Sequence, residues 1–90
     1  MKILTRLYSK YHYWKYDHPS KESITYCLTL KHKLNKKVSA NILQVAQLYD
    51  YGFPLWAIAL QLKITRERAR QCLLKFERDM YKYEDSKGNS

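Results

Sequence analysis

The chain holds only two glycines and two prolines in ninety residues. That scarcity removes most of the turn-forming material a β-rich architecture needs. Apolar residues recur instead at helical spacing through most of the chain. The pattern predicts an all-α fold of about five helices in one small domain, residues 1–84, with a frayed tail at 85–90. A chain this short buries roughly 60–65% of its unfolded surface, so its core must be thin.

The first helix is expected over 2–16, where Ile3, Leu4, Leu7, Tyr8, Tyr11 and Trp14 share a face and Lys2, Arg6 and Lys10 form a stripe on another. Pro19 interrupts it, because the residue before a proline avoids the α region. Ser20 can cap a second helix over 21–34. That stretch is ambiguous. Ile24, Cys27, Leu28 and Leu34 fit a helix, while Ile24, Tyr26, Leu28 and Leu30 alternate as in a strand. Helix is favoured, since no partner strand is visible. These two helices, 1–38, make a basic aromatic N-terminal extension.

Ser39 can cap a third helix over 40–51, with Ile42, Val45, Ala46 and Tyr49 inward. Gly52 stands where a helix end wants a residue tolerant of left-handed geometry, and Pro54 suits the opening of a fourth helix over 54–62. That helix turns Leu55, Ile58, Ala59 and Leu62 inward. Lys63 and Ile64 form a tight turn, and Thr65 caps the last helix, 66–83. On that helix Ala69, Cys72, Leu73, Phe76 and Met80 gather on one side. Glu67, Arg70, Gln71, Lys75 and Arg78 are read onto the opposite side, with Arg66 in the exposed first turn.

Formal net charge is +9. Residues 1–38 hold nine basic against two acidic groups, and 54–90 hold eight against five. Such a chain attracts polyanions, nucleic acid first. A short apolar helix, a tight turn and a helix opening with long hydrogen-bonding side chains is the arrangement that enters a major groove. Arginine reads guanine, glutamine adenine, and glutamate accepts from cytosine. Arg66, Glu67, Arg70 and Gln71 are therefore the candidate base readers. Thr65, Arg68, Lys75, Arg78, Lys63, Lys33, Lys36 and Lys37 are the candidate backbone contacts.

The run from Gly52 to Gln71 resembles region 4 of bacterial sigma factors, the helix-turn-helix that binds the −35 promoter element. Ile58-Ala59 is similar to the apolar-then-small pair of its first helix. Leu62, Ile64 and Thr65 are similar to its turn, and Thr65-Arg66-Glu67-Arg68 with Arg70-Gln71 to its recognition-helix start. The likeness covers roughly residues 39–81. It departs at Lys63, where glycine or a small polar residue is common, and at Trp56-Ala57, where an acidic pair is usual. Nothing in the chain is similar to the sigma region that melts the −10 element, so the resemblance implies a region-4-type module. It further implies that Arg66, Glu67 and Arg70 approach base edges and that Gln71 contacts bases or backbone.

The expected function is sequence-specific binding of double-stranded DNA in transcription regulation, in the cytoplasm on the nucleoid, by a protein suited to a phage or plasmid. A homodimer is compatible with this. Region 4 also docks on RNA polymerase, so the alternative is a polymerase-binding adaptor or inhibitor, with Trp56, Leu74, Tyr13 and Tyr16 as partner-facing residues. A further alternative is RNA or ribosome binding. No cofactor is expected. His12, His18 and His32 do not combine with Cys27 or Cys72 at metal-site spacing, and no nucleophile–base set suggests an enzyme. Cys27 and Cys72 fall on apolar helix faces and are expected to be reduced. No apolar run predicts a signal peptide or membrane span. Glu77, Asp79, Glu84 and Asp85 are expected to pair with surface cations on the last helix.

Overall fold

Helix ends in this chain are set by a few side chains that satisfy or release backbone groups. In the computed structural model, residues 17–88 are described, and they form four helices: α1 (Lys21–Leu34), α2 (Ala40–Tyr51), α3 (Leu55–Leu62) and α4 (Arg66–Gly88). The helix expected over 2–16 lies outside the described residues. The ambiguous 21–34 segment is helical. The Ser20 hydroxyl accepts from the Ser23 amide at 3.1 Å. At the other end Asn35 takes the left-handed conformation (φ 53°). Lys31, His32 and Lys33 fill the last turn, where cations offset the negative end of the helix dipole.

One cap and two boundaries differ from expectation. Ser39 occupies the N-cap of α2 but makes no side-chain cap bond. Pro54 is the N-cap residue of α3 rather than its first turn, and its carbonyl accepts from Ala57 and Ile58, both at 3.1 Å. The last helix continues to Gly88 instead of ending at 83. Its final turns are tied back to the body through Glu84 and Tyr83. The Tyr26 hydroxyl donates to Glu84, and the Lys36 ammonium lies 5.0 Å from the Tyr83 ring centroid.

Gly52 ends α2 with φ 125°. A Cβ there would meet nothing within 4 Å, so the position calls for backbone freedom rather than space. Between α3 and α4 the turn is three residues long. Lys63 is left-handed (φ 58°), and the Ile64 amide closes the turn on the Ala59 carbonyl at 2.9 Å. Thr65 caps α4, its hydroxyl accepting from the Arg68 amide at 3.0 Å. Because lysine rather than glycine adopts the left-handed turn, the corner is stiffer than a glycine corner, at some conformational cost.

The helix α4 is the spine of the domain and packs against the other three; α1 also meets α2, and α2 meets α3. The core is Ile24, Cys27 and Leu30 of α1, Val45, Ala46 and Tyr49 of α2, Leu55, Ile58 and Ala59 of α3, and Ala69, Cys72, Leu73, Phe76 and Met80 of α4. Leu28, Leu34, Ile42 and Leu62, expected inward, are partly buried at its margin. Both cysteines are free and buried. Burial, followed by the negative charge of Glu77, pushes the Cys27 thiol up to about 12.

A polar seam joins α1 to α4. The Ser23 hydroxyl donates to Glu77 at 2.5 Å and lies 3.0 Å from the Tyr81 hydroxyl, and the Tyr26 and Tyr81 rings stack at 5.9 Å. Glu84 is buried. Glu84 is thus an interior acceptor rather than a surface pairing partner, and Glu77, half-buried, accepts from the Ser23 hydroxyl of α1. The carboxylates lie on the side of α4 that α1 covers, where the hydroxyls of Ser23, Tyr26 and Tyr81 supply the donors that buried acceptors require. Asp79 does pair on the surface, with Lys75 at 3.2 Å.

Candidate nucleic-acid interface

The inward face of α4 is consumed by the core, and the three-residue turn fixes its start against α3. The opposite face is left to solvent. Glu67, Arg68, Gln71, Lys75, Arg78 and Lys82 are all exposed there. From Glu67 to Arg78 this face runs roughly 16 Å at 1.5 Å per residue. A helix with its side chains is about 10–12 Å across and the major groove about 12 Å wide, so the dimensions match.

Among the described residues, Arg66, Arg68 and Arg78 form no salt bridge, and Arg66 acts on Glu67 only through its charge. The exposed acids of this face are engaged by their own helix: Glu67 with Arg70, and Asp79 with Lys75. The face therefore carries unneutralised positive charge. A groove of about 460 Å³ runs beside it, between α4 and the start of α2, lined by Ile42, Arg68, Gln71, Leu74, Lys75 and Arg78. Leu74 is half-buried in the floor of this groove and is not a free apolar protrusion.

Arg70 is placed differently from its neighbours. Its side chain is only 12% exposed, against 60% for Glu67. It grips Glu67 with two parallel bonds, Nε to Oε1 at 2.9 Å and Nη2 to Oε2 at 2.6 Å. Its Nη1 donates to the Asp17 carbonyl at 3.4 Å and carboxylate at 3.3 Å. Gln71 Nε2 also donates to Glu67, at 2.9 Å. These donors hold the Glu67 carboxyl down at about 2, the Arg70 bonds first and Gln71 next. The sequence pattern puts Arg70 on the face opposite the core, but it lies on a flank. At 100° per residue it sits about 100° from the centre of the apolar stripe, and there it meets the chain entering α1.

That entering chain is held by Tyr49. The Tyr49 hydroxyl donates to the Pro19 carbonyl at 2.8 Å and lies 3.1 Å from His18 Nδ1, with the two rings edge to face at 5.8 Å. This anchor on α2 brings Asp17 over Arg70. Sequence reasoning missed Asp17, since nothing in its neighbourhood predicts a partner 53 residues away.

The second basic cluster is not beside the first. Lys36 stacks on Tyr83, seventeen residues along α4 from Arg66, roughly 25 Å by helix rise. Lys33 and Lys37 are exposed near it. Lys63 is exposed in the α3–α4 turn, and Thr65 spends its hydroxyl on the cap. Trp56 is 66% exposed. Tyr13 and Tyr16 lie outside the described residues.

No group of three or more metal-ligating side chains occurs among the described residues. No described helix is long and apolar enough to cross a membrane. Comparison of the chain with protein-family models, curated proteins and solved structures gives no match.

Proposed function

We propose that this chain is a sequence-specific double-stranded DNA-binding protein that regulates transcription, using α3, the Lys63–Thr65 turn and α4 as a sigma region 4-like helix-turn-helix. One observation carries the reading. The face of α4 that the core leaves free begins immediately after a capped, rigid corner and presents Glu67, Gln71, Arg68, Lys75 and Arg78 without obstruction from the other described helices. In this mechanism α4 enters the major groove by its first three turns. Gln71 and Glu67 meet base edges. Arg66, Arg68, Lys75 and Arg78 neutralise phosphates along the groove walls.

Arg70 acts through Glu67. Its two bonds and that of Gln71 fix the carboxylate and amide as one cluster, so fewer rotamers are lost on binding. Arg70 is thus a positioning residue, not the guanine reader that its place in the helix suggests. The site of action that follows is the nucleoid. The test is a binding selection from random duplex DNA at physiological salt, repeated with Gln71→Ala. A consensus that relaxes at one position in the variant supports the reading. Failure to enrich any sequence overturns it.

A further inference from the structure

Four large apolar side chains are exposed in one corner of the domain: Tyr51 at 84%, Phe53, Trp56, and Leu60 at 75%. They lie at the end of α2 (Tyr51), in the α2–α3 connection (Phe53) and on α3 (Trp56 and Leu60). Isolated exposed apolar residues are ordinary, but the three aromatics are linked in series. The Tyr51 and Phe53 rings stack at 6.1 Å with planes 19° apart. Phe53 and Trp56 then line one cleft of about 340 Å³ together with Lys21, the first residue of α1, and Arg66, the first of α4. Neither cation forms a salt bridge among the described residues, and no acidic side chain lines the cleft.

We propose that this cleft binds single-stranded DNA, with a base stacked on Trp56 and Phe53 and the adjoining phosphates held by Lys21 and Arg66. Flat aromatic faces beside unpaired cations are what an unstacked base and its phosphate require, and every base has a π-face, so the site is sequence-tolerant. An acidic, leucine-rich protein segment would satisfy the cations equally well. The exposed side chains that would receive it are three aromatics to one aliphatic, which favours a planar ligand. DNA is chosen over RNA because Arg66 belongs both to this cleft and to the edge proposed to meet the duplex. The choice rests on that reading, whereas the stacking site itself does not. The two sites together would hold a duplex on α4 and an unpaired strand at the α2–α3 corner.

The test uses the full chain and a fluorescein-labelled oligothymidylate of about twelve nucleotides, followed by anisotropy at about 50 mM salt. Trp56→Ala should weaken binding about tenfold or more, while Trp56→Phe, which keeps a stacking face, should stay within about threefold. Trp56 is largely exposed, so thermal melts of both variants should superimpose on the parent. Wild-type affinity in Trp56→Ala overturns the proposal. Tighter binding of oligouridylate than of oligothymidylate overturns the assignment to DNA, and displacement of the oligonucleotide by an acidic leucine-rich peptide at lower concentration assigns the corner to a protein. A duplex arm separates the two readings. A shallower salt slope of duplex binding in Arg78→Ala with unchanged oligothymidylate binding in Trp56→Ala sinks this inference alone. Oligothymidylate binding that needs Trp56 in a chain that selects no duplex sinks the other alone.

Discussion

Arg78→Ala should change the salt dependence of duplex binding in a way that counts phosphates. From Arg66 to Arg78, the part placed in the groove, four exposed cations border the free face of α4: Arg66, Arg68, Lys75 and Arg78. If each neutralises one phosphate, the slope of log K against log salt is about −3.6, at about −0.9 per phosphate. Between about 50 and 200 mM salt that slope corresponds to about a 150-fold loss of affinity. Removing Arg78 should reduce the slope to about −2.7 and the loss over the same interval to about 40-fold. The arginine has no ion pair among the described residues and lies on the exposed face, so its removal leaves no buried group unpaired. The fold should tolerate it. The assay is fluorescence anisotropy with a selected duplex across a salt series, for the parent and Arg78→Ala. A variant whose slope equals the parent's would refute the placement of α4 against phosphates.

Three further outcomes follow. Phe76→Ala empties the centre of the core and should cost about 3–5 kcal/mol in chemical denaturation, and a cost under about 1 kcal/mol would mean that α4 is not the spine described. The Glu67 carboxyl is held down at about 2, below its usual value of 4.5, so its bonds to Arg70 and Gln71 should persist above about pH 4.5 and be lost as pH falls towards 2. A side-chain carbon-13 titration of Glu67 with an ordinary midpoint would show that the cluster does not form in solution. Cys27 is buried and its thiol raised to about 12, so a thiol reagent at about pH 8 should label it only at the rate of unfolding; rapid labelling in the native state would contradict its place under α1.

The helices were legible in the sequence wherever a cap or breaker coincided with the apolar period. Ser20, Gly52 and Thr65 each mark a boundary that the structure keeps. The ambiguity at 21–34 resolved to helix for a reason outside that segment. The buried positions Ile24, Cys27 and Leu30 follow a helical spacing that α2 and α4 cover. The sequence pattern ends α4 at 83, whereas the helix runs to Gly88; the contacts that hold Tyr83 and Glu84 to the body come from Lys36 and Tyr26, far away in sequence. Within the candidate site, the exposed face from Glu67 to Arg78 was readable from the wheel. The position of Arg70 was not, since a flank residue can face solvent or a neighbour, and only the Tyr49 anchor on the chain before α1 decides which. Trp56 is singled out in the sequence as partner-facing, but its grouping with Tyr51 and Phe53 is not legible there, because sequence shows that aromatics are dense but not that the packed helices leave them outside.

The central claim is that the free face of α4 reads base pairs, and selection from random duplex DNA with the parent and Gln71→Ala tests it most directly. The account predicts that the parent enriches a defined site of a few adjacent base pairs, and that Gln71→Ala keeps every position but one, losing about 1–3 kcal/mol of discrimination there. Enrichment of the same site by both proteins would contradict it, as would a parent that binds all duplexes alike.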